Sequence, residues 1–194
     1  ESEVMRRSAS TGSFKRRLKA RLMHRPMAWS EQYLIKRAAL GLFHGKETFD
    51  TYAPYCKQPE LVHDIHLKKS DHITPDRLSD KMVQATKGPL KIGYIGRADP
   101  MKGPLDWIEV LGGLAARGVD FEAFWMGEGS ELDAMKARIS ELDLADRIKL
   151  LGFVKDRDQV LEKYRETQCF LFCHKTPESP RCLIEALVSG TPIV

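Results

Sequence analysis

The pattern of apolar and polar positions changes character along the chain. Residues 1–12 are rich in Ser, Thr, Gly and Arg and show no apolar period, so a mobile start is expected. From Phe14 to Leu40 the pattern is helical, with a break predicted near Pro26 and a fresh helix capped by Ser30. Gly41 to Gly45 reads as a short strand, Lys46 to Tyr52 as a helical turn stopped by Pro54, and Leu61 to Ile65 as another strand. A helix is predicted after Thr74-Pro75, because proline suits the first helical turn, and Lys87-Gly88-Pro89 ends it.

Beyond Pro89 the text becomes regular. Leu90–Gly96, Phe121–Met126, Ile148–Gly152 and Cys169–Cys173 are apolar runs of strand length, and Thr191–Val194 reads as the start of another. Between them Leu105, Ile108, Leu111 and Leu114, then Leu132, Met135, Ile139 and Leu142, recur at helical spacing. Ser130 with Asp133 resembles a capping box, and Asp156 with Gln159 caps a short helix carrying Val160, Leu161 and Tyr164. Pro180 and Arg181 lead into a last helix over about Cys182 to Val188, ended by Gly190. Strands alternating with helices imply right-handed crossovers and a doubly wound parallel sheet, an α/β fold. Ligands of such sheets bind beyond the carboxyl ends of the strands. The loops after Ile95, Met126, Leu151 and Cys173 are therefore where chemistry is expected.

Composition adds limits. The chain has 194 residues, 42% apolar and 30% charged, which excludes disordered and low-complexity classes. Net charge is only +4, but Arg6, Arg7, Lys15, Arg16, Arg17, Lys19, Arg21 and Arg25 crowd the start, opposed by Glu1 and Glu3. That stretch reads as a solvated face, with contact to an anionic membrane surface as its alternative. No aromatic residues interleave with these charges, so nucleic acid is not indicated. No apolar run approaches the ~18 residues of a membrane span, and no apolar core of a secretory signal is present. The expected compartment is the cytoplasm, with peripheral contact at the inner membrane face as the alternative reading of the basic start. Cys56, Cys169, Cys173 and Cys182 form no CxxC pair and read as free thiols. His63, Asp64, His66, Asp71 and His72 resemble a metal cluster, but His63 and His66 share a face only on a helix, which the nearby prolines disfavour. No metal site is expected. A chain that starts at Glu1 and stops inside a strand reads as a fragment of something longer.

Four loops carry the candidate chemistry. Gly96-Arg-Ala-Asp-Pro-Met-Lys-Gly103 sets Arg97 and Lys102 where a strand hands over to a helix, and such a terminus offers free N–H groups to a phosphate; a turn with solvated charges is the plain alternative. Gly127-Glu-Gly129 opens the next helix and would let a ligand lie close to backbone, or is simply a turn. Phe153 and Val154 could flank a nucleobase, or sit at the rim of the core. In His174 to Val194, Glu178 lies in the loop and Glu185 about one turn into the helix. A carboxylate accepts from a vicinal diol, so Glu185 could hold ribose hydroxyls and Glu178 those of a second sugar. Amides of Arg181, Cys182 and Leu183 would face phosphate oxygens.

In order and spacing, Gly96-Arg97 with Lys102-Gly103, Gly127-Glu-Gly129, Leu151-Gly-Phe-Val154, and Glu178 through Glu185-Ala-Leu-Val-Ser-Gly-Thr-Pro-Ile-Val194 resemble the donor domain of the glycosyltransferase group 1 family, retaining enzymes of the GT-B fold. The resemblance covers about Leu90 to Val194. It implies a division into residues 1–72, the tail of an N-terminal acceptor-type domain, 73–89, an interdomain connection, and 90–194, a donor-binding domain. It implies that a UDP- or GDP-type nucleotide sugar is the substrate, that a glycan, lipid or small molecule is the acceptor, and that neither a cofactor nor a metal is needed. Catalytic roles fall on Arg97, Lys102 and Glu178, with donor contacts from Gly96, Gly127, Gly129, Phe153, Val154, Arg181, Cys182, Leu183 and Glu185. Six residues separate Glu178 from Glu185, one fewer than in the family's motif, and ungapped alignment puts Pro177 at the first position. Either the loop has lost a residue and Glu178 still serves, or the sugar contact differs. The rival reading is a non-catalytic nucleotide-binding or interaction module on the same scaffold. A sugar-nucleotide epimerase or a pyridoxal-dependent phosphorylase of the same fold is a third.

Overall fold

The structure, a computed structural model, describes residues 14–63, 66–175 and 180–194. The chain divides into two compact units, Glu1–Asp64 and Ile65–Val194.

In the first unit, helix α1 (Phe14–Arg37) runs through Pro26 without the expected break. Proline removes one backbone bond and crowds the turn before it, which a helix can absorb by bending. Ser30 makes no cap; its hydroxyl donates to the Met27 carbonyl at 2.8 Å. Strand β1 (Gly41–His44), helix α2 (Lys46–Tyr52) and strand β2 (Pro59–Val62) form a parallel crossover in which Gly41 pairs with Pro59. β2 starts earlier than the sequence predicts, because a proline at a strand's first residue forfeits no ladder bond. Phe43 is buried there, stacked on Tyr52 and edge-on to Phe49.

The second unit opens with helix α3 (Pro75–Gln84), whose N-cap Thr74 accepts from the Arg77 amide. The segment read as a connection, 73–89, lies within this unit. β3 (Leu90–Ile95), α4 (Pro104–Ala116), β4 (Phe121–Met126), α5 (Leu132–Glu141), β5 (Ile148–Gly152), α6 (Arg157–Glu166), β6 (Cys169–Phe170) and α7 (Arg181–Val188) follow. Asp156 caps α6 as expected, its carboxylate accepting from Asp158 and Gln159 amides. The sheet is wholly parallel, in the order β5-β4-β3-β6. The fold class is the one read from the sequence. β6 is shorter than the apolar run Cys169–Cys173, but the ladder continues: the Leu171 amide donates to Gly93 and the Phe172 amide to Val194. Phe170 also bridges Ile193, so the last residues add to this edge.

Strand order explains the site. From β3 the chain moves outward through β4 to β5, then returns to the other side of β3. Right-handed crossovers therefore put α4 and α5 on one face and α6 on the other. The reversal leaves a crevice at the carboxyl ends of β3 and β6. One core unites the layers: Ile92, Tyr94, Trp107, Leu111, Trp125, Met135, Leu161, Tyr164 and Phe170 are all buried in it. The Trp125 ring lies 4.0 Å from Tyr94 and meets Trp107 edge-on at 5.5 Å.

Lys81 ties α3 to this core, beside an ion pair between Arg77 and Glu162 of α6. The Lys81 ammonium donates to the Thr191 hydroxyl (2.7 Å) and to the carbonyls of Ser189 (3.1 Å) and Tyr164 (3.3 Å). Burial pushes its pKa down to about 8. Between there and its ordinary range near 10.5 the unfolded chain holds a proton that the folded chain has lost, so this lysine makes stability rise with pH. The thiol of Cys182 and the phenol of Tyr164, both raised by burial, act in the opposite sense at higher pH. The difference in unfolding free energy between wild type and Lys81→Met, followed by urea titration from pH 7.5 to 10, is expected to grow in favour of wild type. A pH-independent difference would contradict the burial argument.

Candidate functional site

Three loops meet backbone to backbone at the crevice. The Gly96 amide donates to Met126 O, the Ala98 amide to Glu128 O and the Glu131 amide to Ala98 O, each at 2.9 Å, which seats the loop after β3 on the loop after β4. The Lys175 amide donates to Met101 O at 2.9 Å, which adds the loop after β6. Two glycines make this approach feasible. Gly127 has φ +144°, and a Cβ there would lie 2.1 Å from the Gly96 carbonyl oxygen; Gly103 has φ +65°, and its Cβ would lie 2.0 Å from the Cys173 oxygen. Only glycine combines that backbone with that proximity. A Cβ on Gly129 would likewise fall on the Ala98 backbone at 2.4 Å.

Asp99 fastens the platform. Its Oδ2 pairs with Arg97 at 2.7 Å. Its Oδ1 accepts from both the amide and the hydroxyl of Ser130, at 3.2 Å each. The capping box read at Ser130 and Asp133 is thus not formed, and α5 starts after an N-cap of Glu131. A charged acceptor from a neighbouring loop outcompetes the local motif. Arg97 itself extends from the platform, with 78% of its side chain exposed.

Lys102 closes the short helical turn Pro100–Lys102 and is half-buried. Its charge reaches the first turn of α7, where it favours the Cys182 thiolate; burial outweighs this and pushes that thiol up to about 12. Cys182 and Cys173 are free thiols, as read. The α7 tip is partly self-satisfied. The Leu183 amide donates to Pro180 O at 3.2 Å, and the Cys182 sulfur lies beside the amides of Cys182 and Leu183. The sequence alone left all three amides open.

Glu185 is gripped at both oxygens from α6. Oε1 accepts from Arg157 at 3.2 Å and Oε2 from the Tyr164 hydroxyl at 3.3 Å. Arg157 and Tyr164 stand seven residues apart, two helical turns, and so present one face. Only 18% of the Glu185 side chain is exposed. Arg157 also donates to Asp71 Oδ2 and to the His66 carbonyl, both at 3.0 Å. Asp71, read as part of a histidine-rich cluster, is instead a partner of arginine. The Lys68 amide and Arg157 hold its carboxyl below the ordinary carboxylate range. Phe153 is 68% exposed beyond β5 and Val154 half-buried behind it.

The structure therefore brings Arg97, Gly96, Gly127 and Gly129 together on one platform, with Lys102 within electrostatic reach of Cys182 on α7. Glu178 lies outside the described residues. Among the described residues, no group of three or more His, Cys, Asp or Glu side chains is arranged to hold a metal ion, and no helix is long and apolar enough to cross a membrane. The partners of Asp99, Asp71, Arg157 and Tyr164 carry no signal in the sequence. Each acts across elements distant in the chain, and the local text around Asp99 and Ser130 points to a different pairing.

Comparison with known proteins places the chain in a family and finds the same fold in solved structures. A 2-deoxystreptamine glucosyltransferase of Streptomyces kanamyceticus is 24% identical over 184 residues, covering 89% of this chain and 46% of that protein. The amylovoran biosynthesis glycosyltransferase AmsK of Erwinia amylovora is 30% identical over 128 residues, 63% of this chain and 31% of its own. The chain thus spans less than half the length of either relative. The crystal structure of HepE from Anabaena, in complex with UDP and glucose, superposes with a TM-score of 0.67 at 19% identity, covering 84% of this chain and 46% of that one. Residues 77–194, more than half of the chain, match the family described as glycosyl transferases group 1, and the protein belongs to that family.

Proposed function

We propose that the second unit binds the nucleotide-sugar donor of a retaining hexosyltransferase, which passes the sugar to a glycan, lipid or small acceptor. The observation that carries this reading is the seating of three loops on one another at the switch point of the sheet, with Arg97 extended from them and a fixed carboxylate, Glu185, on the neighbouring helix. Arg97 and Lys102 bind the diphosphate and stabilise the charge that grows on the departing nucleotide, an electrostatic contribution set in place before the reaction. The backbone of Gly96, Gly127 and Gly129 and the first turn of α7, at Arg181, Cys182 and Leu183, border the phosphates. Glu185 accepts from the ribose diol, which suits an acceptor-only group with two oxygens. Phe153 and Val154 flank the base, and Glu178 stands by the donor sugar. HepE, a similar fold, has been crystallised with UDP, so a uridine nucleotide is the first candidate. The protein works in the cytoplasm, and residues 1–72 contribute to the acceptor side.

Calorimetric titration of the 194-residue chain with UDP, GDP and ADP tests the donor site. Saturable binding of one nucleotide well below the others in dissociation constant is the expected result. Absence of binding by folded protein at millimolar concentration of all three would overturn the assignment.

A further inference from the structure

We infer that Arg157 is the positioning residue for the Glu185 carboxylate, oriented by Asp71 and the His66 carbonyl, so that the segment 66–71 governs recognition of the nucleotide's ribose. This rests on the ribose role of Glu185 proposed above. The guanidinium divides its fork. One nitrogen reaches Glu185 Oε1 at 3.2 Å; the other reaches Asp71 Oδ2 and His66 O, each at 3.0 Å. A planar fork held at three points has one orientation, which a lysine ammonium could not reproduce.

Each partner is itself held. Asp71 is nearly buried and accepts from the Lys68 amide at 2.9 Å. Tyr164, fully buried on the same face of α6, holds the second oxygen of Glu185. The carboxylate is therefore locked in one rotamer before any ligand arrives. Each of its oxygens retains a second lone pair for a hydroxyl donor. Charge supports the same role. Asp71, Arg157 and Glu185 together carry one negative charge, so Asp71 offsets the guanidinium and leaves Glu185 a competent acceptor. Without Asp71 the arginine would be free to draw closer to Glu185 and compete with the diol. Restricting a contact group in advance removes the ordering cost that binding would otherwise meet.

The test compares UDP with 2′-deoxy-UDP by calorimetry on the whole chain, with the thermal midpoint recorded for every variant. Wild type is expected to prefer UDP by about tenfold, the scale of one hydrogen bond to a charged group. Arg157→Met is expected to shrink that preference to about twofold, Arg157→Lys to recover part of it, and Asp71→Asn to shift it in the same direction by less. A purely structural role would weaken both nucleotides equally and leave the ratio intact. An unchanged ratio in both Arg157→Met and Asp71→Asn overturns this inference and leaves the donor site standing. If wild type binds UDP and 2′-deoxy-UDP alike, the ribose assignment of Glu185 falls and this inference with it. If wild type binds neither, the donor-site reading itself fails.

Discussion

Replacing Gly127 by valine is expected to abolish measurable nucleotide binding and to lower the stability of the second unit by about 2–5 kcal/mol, from backbone strain plus overpacking. The argument is geometric. At φ +144° a β-branched residue is strained wherever it stands, and here its Cβ would overlap the Gly96 carbonyl oxygen at 2.1 Å. Neither atom belongs to a flexible side chain that could turn away. Relief requires the loops after β3 and β4 to separate. That would break the bonds from Gly96 to Met126 and from Ala98 to Glu128 and weaken the hold of Asp99 on Ser130. Arg97 would then lose its platform. Urea unfolding and nucleotide titration of the same sample check both effects. Gly118→Val serves as the control: its φ is also positive, but nothing lies within 4 Å of its Cβ. Strain without collision should cost stability and spare binding. Equal loss of binding in both variants would refute the claim that loop contact builds the site.

Glu185→Ala and Arg97→Ala are expected to fail in different ways. Loss of the carboxylate should weaken uridine and UDP alike by about ten- to a hundredfold, because the ribose is common to both and a hydrogen bond to a charged group is worth roughly 1.5–3 kcal/mol. Loss of the guanidinium should weaken UDP by a similar factor and leave uridine unchanged, since Arg97 meets only phosphate. The alanine at 185 also strips the buried Tyr164 hydroxyl of its acceptor, at a cost of about 1–3 kcal/mol in stability. Glu185→Gln keeps that acceptor and separates folding from binding. Arg97 is mostly exposed, so its side of the ion pair with Asp99 is solvated and the pair contributes little; Arg97→Ala should leave the unfolding midpoint nearly unchanged. Competition titrations with the four ligand–variant pairs decide the matter. Tight UDP binding by Glu185→Ala would remove Glu185 from the site.

What the amino-acid sequence determined by itself was the run of elements in the second unit and the loops that matter. Apolar runs of strand length alternating with helical periods leave little choice of architecture, because each element must bury its apolar side and each crossover has one hand. Arg97, Gly103 and Gly127 were legible as positions in the loops that follow strands, and Glu185 as a position one turn into the helix after such a loop. Local signals failed for two reasons: a distant group supplied a better partner at Ser130, and helix α1 continued through Pro26 and Ser30. Ser130 abandons its capping box for Asp99, Ser30 turns to its own helix, and α1 passes through Pro26. Only the tertiary structure decided that β6 returns beside β3 and so opens the crevice, that three loops share one set of backbone bonds, and that α6 grips Glu185 through Arg157 and Tyr164 while Asp71 holds Arg157 from the far end of the unit. Periodicity reports which side of an element is buried. It carries no information about which charged group, remote in the chain, folding will set within 3 Å of another.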